Sequence, residues 1–163
     1  MSAVPVTLTW FEAAMASEVG RMRHLSAIKA NRPDRHGFEG AGWNVHIEGA
    51  CGELALAKVL GVYWDGSVDT FDAPDVGRLQ VRTRSEHDYE LIVRPTDSDT
   101  SRWVLVTGRC PRYVVRGWIS GQEAKRPQWL RTHGGRPPAH FVPHAALHPI
   151  STLALEEAHL ASA

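Results

Sequence analysis

Four positions in this chain carry groups suited to holding ions: Glu53, Asp75, Gln80 and Arg82. Glu53 lies in Gly49-Ala-Cys-Gly-Glu-Leu-Ala-Leu-Ala-Lys58, a run of small and apolar residues that predicts a helix. At 100° per residue it points with Gly49, Leu56 and Leu60, a face expected to be buried. A carboxylate there is costly unless it is paired, hydrogen-bonded or bound to a cation. The plainer alternative is a Glu that reaches the helix edge and pairs with a nearby arginine. Asp75 follows Pro74 at a predicted turn, where Gly77 keeps the backbone free of side-chain bulk. Gln80 and Arg82 share one face of a predicted strand, so Asp75 at one strand end can sit beside both. Taken alone, Pro-Asp is only a common turn.

Together, Glu53 on a helix, Pro74-Asp75 at a turn and Gln80-Val81-Arg82 on a strand resemble the PD-(D/E)XK nuclease motif. The wider frame is Gly49-x-x-Gly52-Glu53-Leu54-Ala55, Tyr63-Trp64-Asp65-Gly66-Ser67-Val68, Asp75-Val76-Gly77, Leu91-Ile92-Val93-Arg94, Val104-Leu105-Val106-Thr107-Gly108 and Gly117-Trp118-Ile119. It is similar to a group of small, mostly uncharacterised phage and prophage-like proteins of that superfamily. The likeness covers roughly residues 9–150.

The resemblance implies an α+β fold with a restriction-endonuclease-like core, a mixed β-sheet flanked by helices. It implies one domain over residues 1–150, with 151–163 as a C-terminal tail. It also implies Mg²⁺ (or Mn²⁺) and hydrolysis of DNA phosphodiesters. Asp75 would be the central carboxylate ligand, with the Gln80 amide and the Val81 carbonyl as further oxygens. Glu53 would reach the metal directly or through water, and Arg82 would face the scissile phosphate. Two positions depart from the motif. Gln80 replaces an acid and is a poorer Mg²⁺ ligand. Arg82 replaces a lysine; it can clamp a phosphate but stays charged, which makes it a poor general base. The alternative reading is therefore an inactive nuclease-fold module that binds DNA or another protein.

The 163 residues suit one domain, and 43% hydrophobic with 22% charged residues argues against disorder or a coiled coil. No apolar run approaches the ~20 residues of a membrane span. The N-terminus lacks a signal-peptide pattern, so the expectation is a cytoplasmic protein. Cys51 and Cys110 are too few for a disulfide framework and read as small buried hydrophobes. The 18 basic and 18 acidic residues cancel, but unevenly. Residues 1–77 hold 6 basic and 10 acidic; residues 78–136 hold 12 and 6, and 11 of those 12 are arginine. A neutral total can hide a basic face fit for phosphates. The expected partner is DNA, contacted by Arg84, Arg126, Arg131, Arg136 and Trp129; a homodimer is an option and a membrane is not.

These residues need a scaffold. Thr9-x-x-Glu12 is a capping box, and Phe11, Ala14, Met15, Val19, Met22, Leu25 and Ile28 form a stripe expected to be buried. That helix should end near Asn31, should carry no chemistry, and should be followed by a loop over 31–44. A second helix is expected over Ile47–Leu60, stopped by Gly61. Strands are expected at Val62–Trp64, Val68–Phe71, Leu79–Thr83, Tyr89–Val93, Trp103–Thr107 and Tyr113–Ile119. Trp103 and Trp118 should be core. Residues 96–101 read as a polar turn, 126–138 as a surface loop and 141–143 as a short extended piece, with order ending near Ser151. His140, His144 and His148 recur every four residues, but the surrounding prolines predict an exposed loop rather than a metal helix. Asp97-Ser-Asp99 reads as a hairpin turn, and Ser85-Glu-His-Asp88 as another.

Overall fold

The computed structural model describes residues 3–30, 42–70 and 73–153, and it is an α+β molecule. Its elements are β1 (Val4–Thr7), α1 (Trp10–Lys29), α2 (Gly42–Leu60), β2 (Leu79–Arg84), β3 (Leu91–Val93), β4 (Arg102–Arg109), β5 (Arg112–Ser120), α3 (Gly121–Ala124), β6 (Leu130–Arg131) and β7 (Ala139–Val142). Four strands form a mixed sheet in the order β1-β5-β4-β2, with β2 parallel to β4 and the other pairs antiparallel. A second, antiparallel sheet runs β3-β7-β6. β1 was not foreseen, and Pro5 within it suits a sheet edge.

Side-chain alternation on the main sheet separates two cores. Val104 and Val106 of β4, with Leu79 and Val81 of β2, pack with Ala50, Leu54 and Ala57 of α2. Trp103 and Leu105 point the other way, onto Leu91 and Val93 of β3 and Val142 of β7. Helices thus cover one face and the small sheet covers the other. Trp103 and Trp118 are buried, as expected, but in opposite cores.

α1 begins as the capping box requires: Thr9 N–H donates to Glu12 at 2.6 Å, and Glu12 N–H donates to the Thr9 hydroxyl at 3.2 Å. Its packing departs from the expectation, since of the predicted stripe only Val19 packs partly against the core. Ala16 and Gly20 are its buried residues, whereas Phe11, Met15, Met22, Leu25 and Ile28 are exposed. The reason is backbone proximity. A Cβ on Gly20 would stand 2.5 Å from the Ile47 Cα and 2.7 Å from the His46 carbonyl oxygen. Small residues let α1 press onto α2, and long apolar side chains would hold it off. Gly20→Ala is therefore expected to lower stability by about 1–3 kcal/mol, although helix propensity returns up to ~1 kcal/mol of that. Urea unfolding checks this; a variant as stable as wild type would contradict the packing.

α2 starts at Gly42, about a turn before the expected point, and stops at Gly61 as expected. Residues 62–64 and 68–70 are not strands. Strand expectations at Leu79, Tyr89, Trp103 and Tyr113 correspond to β2, β3, β4 and β5. Residue 71 and the loop at 31–41 lie outside the described residues. Order continues past Ser151, because the chain is helical from 150 to 153 and Leu153 is fully buried. The histidine segment is not an exposed loop. His140 is buried on β7 against the Val93 carbonyl, His144 contacts the Tyr89 carbonyl, and His148 bonds Glu123. Each ring is used by the fold because β7 must cover β3.

Candidate active site

Glu53 is 6% exposed in the middle of α2. Arg23 of α1 grips it with two bonds, Nη1 to Oε1 at 2.7 Å and Nη2 to Oε2 at 3.0 Å. The Trp64 indole N–H donates to Oε2 at 3.0 Å, and Arg23 Nε donates to the Ser67 carbonyl at 2.8 Å. Planar, bidentate pairing of this kind is what makes a buried carboxylate tolerable. α1 therefore does carry part of the site, contrary to expectation. α2 sits close because Gly52 faces Thr83 of β2, where a Cβ would overlap the hydroxyl.

Asp75 precedes the turn, centred on Gly77 and Arg78, that leads into β2. Gly77 adopts φ +57°, a left-handed conformation that glycine takes without strain. The turn folds Asp75 back so that its Oδ2 accepts the Val81 N–H at 2.7 Å and its own N–H donates to the Leu79 carbonyl at 2.9 Å. One residue's N–H and C=O point to the same side of an extended strand, so the Val81 carbonyl also faces this edge. Burial, and then the negative charge of Glu53, push the Asp75 carboxyl up to about 6; the Val81 N–H, Arg82 and Arg23 oppose that rise. A carboxylate that resists ionisation in this way favours a nearby cation.

Gln80, Arg82 and Arg84 share the face of β2 opposite α2. Asp75, Gln80 and Arg82 line one cavity of about 240 Å³ with Arg23, His46 and Asp69. The structure thus brings three of the four motif residues to one space, while Glu53 lies behind Arg23. Arg82 is already engaged. Its Nη2 bonds Asp97 Oδ2 at 3.1 Å, its guanidinium lies 4.3 Å from the centre of the Trp103 ring, and Asp97 is also held by the Arg94 N–H at 2.8 Å. Asp97 belongs to the expected polar turn, but it serves as the counter-ion of the motif arginine.

Gln80 and Arg82 also border a groove of about 960 Å³ that runs over β2 and β3 past Arg84, Arg94, Arg136 and Phe141. Arg84 is half-buried, with its guanidinium 4.8 Å from the centre of the Tyr89 ring and Nη1 without a partner among the described residues. Burial lowers its pKa; Tyr89 and the Glu90 carboxylate oppose that shift, and the positive charge of Arg136 adds a smaller push in the same direction as burial. Two guanidiniums that repel each other beside a groove make a place for an anion. Arg131 is spent on Glu90 and on the Phe141 ring, 4.4 Å away. Arg126 stacks over Trp129 at 5.1 Å, and neither lines the groove. Of the five residues expected to contact phosphate or base, Arg84 and Arg136 are the two at the groove.

Among the described residues, no group of three or more His, Cys, Asp or Glu is placed to hold a metal ion. Mg²⁺ takes oxygen donors, keeps several waters, and is often held by one or two carboxylates plus substrate phosphate. Asp75, the Gln80 amide oxygen and the Val81 carbonyl give three oxygens and one negative charge. The Gln80 amide has no hydrogen-bond partner among the described residues. Glu53 cannot add a second charge directly, because Arg23 and Trp64 take its oxygens. The donor set fits an ion that arrives with a phosphate, rather than one held permanently. Among the described residues, no helix is long and apolar enough to cross a membrane. No family model, no curated protein and no solved structure matches the chain.

Proposed function

We propose that this protein is a Mg²⁺-dependent DNA endonuclease of PD-(D/E)XK-like design, acting in the cytoplasm. The observation that carries the reading is that Gln80 and Arg82 line both spaces, the cavity holding Asp75 and the arginine-lined groove beside it. A phosphodiester backbone lying in the groove would meet Arg84 and Arg136 and bring one phosphate to Asp75. There a divalent ion, held by Asp75, Gln80 and the Val81 carbonyl, would polarise the phosphate and acidify an attacking water. Arg82 supplies positive charge beside the same phosphate, and Arg23 holds Glu53 so that its field acts on Asp75. Incubating plasmid with the protein and Mg²⁺ or Mn²⁺ tests the reading. Nicking by wild type that is lost in Asp75→Ala supports it, whereas equal nicking by both removes Asp75 from the chemistry.

One observation favours a second reading, an inactive module that keeps the DNA groove. Both Glu53 and Arg82 are neutralised by partners from within the chain, Arg23 and Asp97. Binding without cleavage would then be the whole function. In either case Arg84→Ala and Arg136→Ala should each weaken DNA binding and lower the salt slope by about 0.9. Fluorescence anisotropy across a salt series measures this. An unchanged slope in both variants would place DNA elsewhere.

A further inference from the structure

The face of α1 that the fold leaves outside carries large apolar side chains, interrupted by Glu18, Arg21 and Lys29. Trp10 is 77% exposed, Phe11 78%, Met15 53%, Met22 43%, Leu25 39% and Ile28 58%. Phe11, Met15, Met22 and Leu25 lie roughly opposite Ala16 and Gly20 around the helix, so the stripe faces directly away from α2. With roughly 200 Å² on a large side chain, these four leave about 430 Å² of apolar surface on one copy, and Trp10 and Ile28 on its flank bring the total to about 700 Å², against the ~300–600 Å² of the largest patch on a typical monomer.

We infer that α1 is a self-association surface, on which a second copy of the chain packs with its own α1 running antiparallel. Two observations select this occupant. The first is area: covering the stripe together with the flanking Trp10 and Ile28 in both copies removes up to about 1,400 Å² from water, above the ~1,000 Å² that separates specific dimers from incidental contacts. The second is charge. The stripe is interrupted by Glu18 and Arg21, which pair within one helix at 2.5 Å. A two-fold through the middle of α1 sets Glu18 level with Arg21 of the second copy, and Arg21 level with its Glu18. The same axis brings the Trp10–Phe11 end level with the Leu25–Ile28 end, so aromatic and aliphatic surfaces meet twice. An isologous interface needs this self-complementarity.

Sedimentation equilibrium on the full chain tests the assignment, with a particle of twice the 18.0 kDa chain mass expected. Phe11→Glu with Leu25→Glu should raise the dimer dissociation constant about 100-fold or more while leaving the far-UV circular dichroism unchanged, because both positions are exposed. Glu18→Arg alone should weaken the dimer about tenfold, and adding Arg21→Glu should restore it. A wild type that stays monomeric at about 100 µM overturns the inference. So does a dimer indifferent to the Phe11/Leu25 variant. Failure of Arg21→Glu to rescue Glu18→Arg overturns the antiparallel register, and co-flotation of monomer with anionic vesicles would assign the face to lipid.

Discussion

Arg23→Met is expected to lower stability by about 3–5 kcal/mol, the range seen when one partner of a buried ion pair is removed. The substitution keeps most of the side-chain volume, so a cavity is a minor part of the effect. What remains is Glu53, 6% exposed, with the Trp64 indole N–H as its hydrogen bond and no neutralising charge. Against the 5–15 kcal/mol that holds a typical domain, such a loss is severe. The pair itself need not contribute much net stability. Replacing both residues with apolar ones should recover most of the loss, because that removes the buried charge along with its counter-ion. A double-mutant cycle of Arg23→Met, Glu53→Leu and the combination, followed by urea unfolding, gives the coupling. Additive effects, or an Arg23→Met variant within about 1 kcal/mol of wild type, would mean that Glu53 is solvated more than its burial indicates.

That pair also marks how far the sequence could be read. The carboxylate was legible, because Glu53 sits among small apolar residues at helical spacing. Its partner was not, because Arg23 is 30 residues away and lies on a helix whose apolar side chains suggest another buried face. Ala16 and Gly20 carry almost no hydropathic signal, yet they decide the packing of α1 by letting two backbones touch. The row of Ala16, Gly20, Arg23 and Ala27 on one helix face was the available clue. Likewise β2, β4 and β5 were legible from runs of β-branched residues. The segment at 62–64 has the same composition but finds no strand to pair with, and Trp64 is turned inward onto Glu53 instead. The small sheet joins β3 to β7 across more than 40 residues, a pairing that no local pattern announces. Arg82 shows the same limit, since its strand face could be read but its Asp97 counter-ion could not.

Asp75→Asn is expected to make the protein more stable at neutral pH while abolishing any metal-dependent activity. The Asp75 carboxyl is raised from its ordinary 3.8 to about 6, so the folded state holds this proton more tightly than the unfolded chain does. Below pH 3.8 both states are protonated and the group is neutral in its effect. As pH rises towards 6 the unfolded state releases its proton first, and folding stability falls through that window. Above 6 the full cost of the buried charge is present, on the order of 3 kcal/mol. Asparagine retains an oxygen to accept the Val81 N–H and carries no charge next to Glu53. Its melting temperature should exceed that of wild type by about 6–12 °C at pH 7.5, and match it near pH 3. Mg²⁺ with a phosphodiester ligand should close the gap from the other side, since a cation bound beside Asp75 stabilises only the folded wild type. Thermal unfolding at both pH values, with and without these additions, reads all four conditions. A variant less stable than wild type at pH 7.5, or an equal difference at both pH values, would show that Asp75 is not held under charge strain. Stability gained by removing the acid is the outcome expected if Asp75 is kept as a site for a cation rather than for the fold.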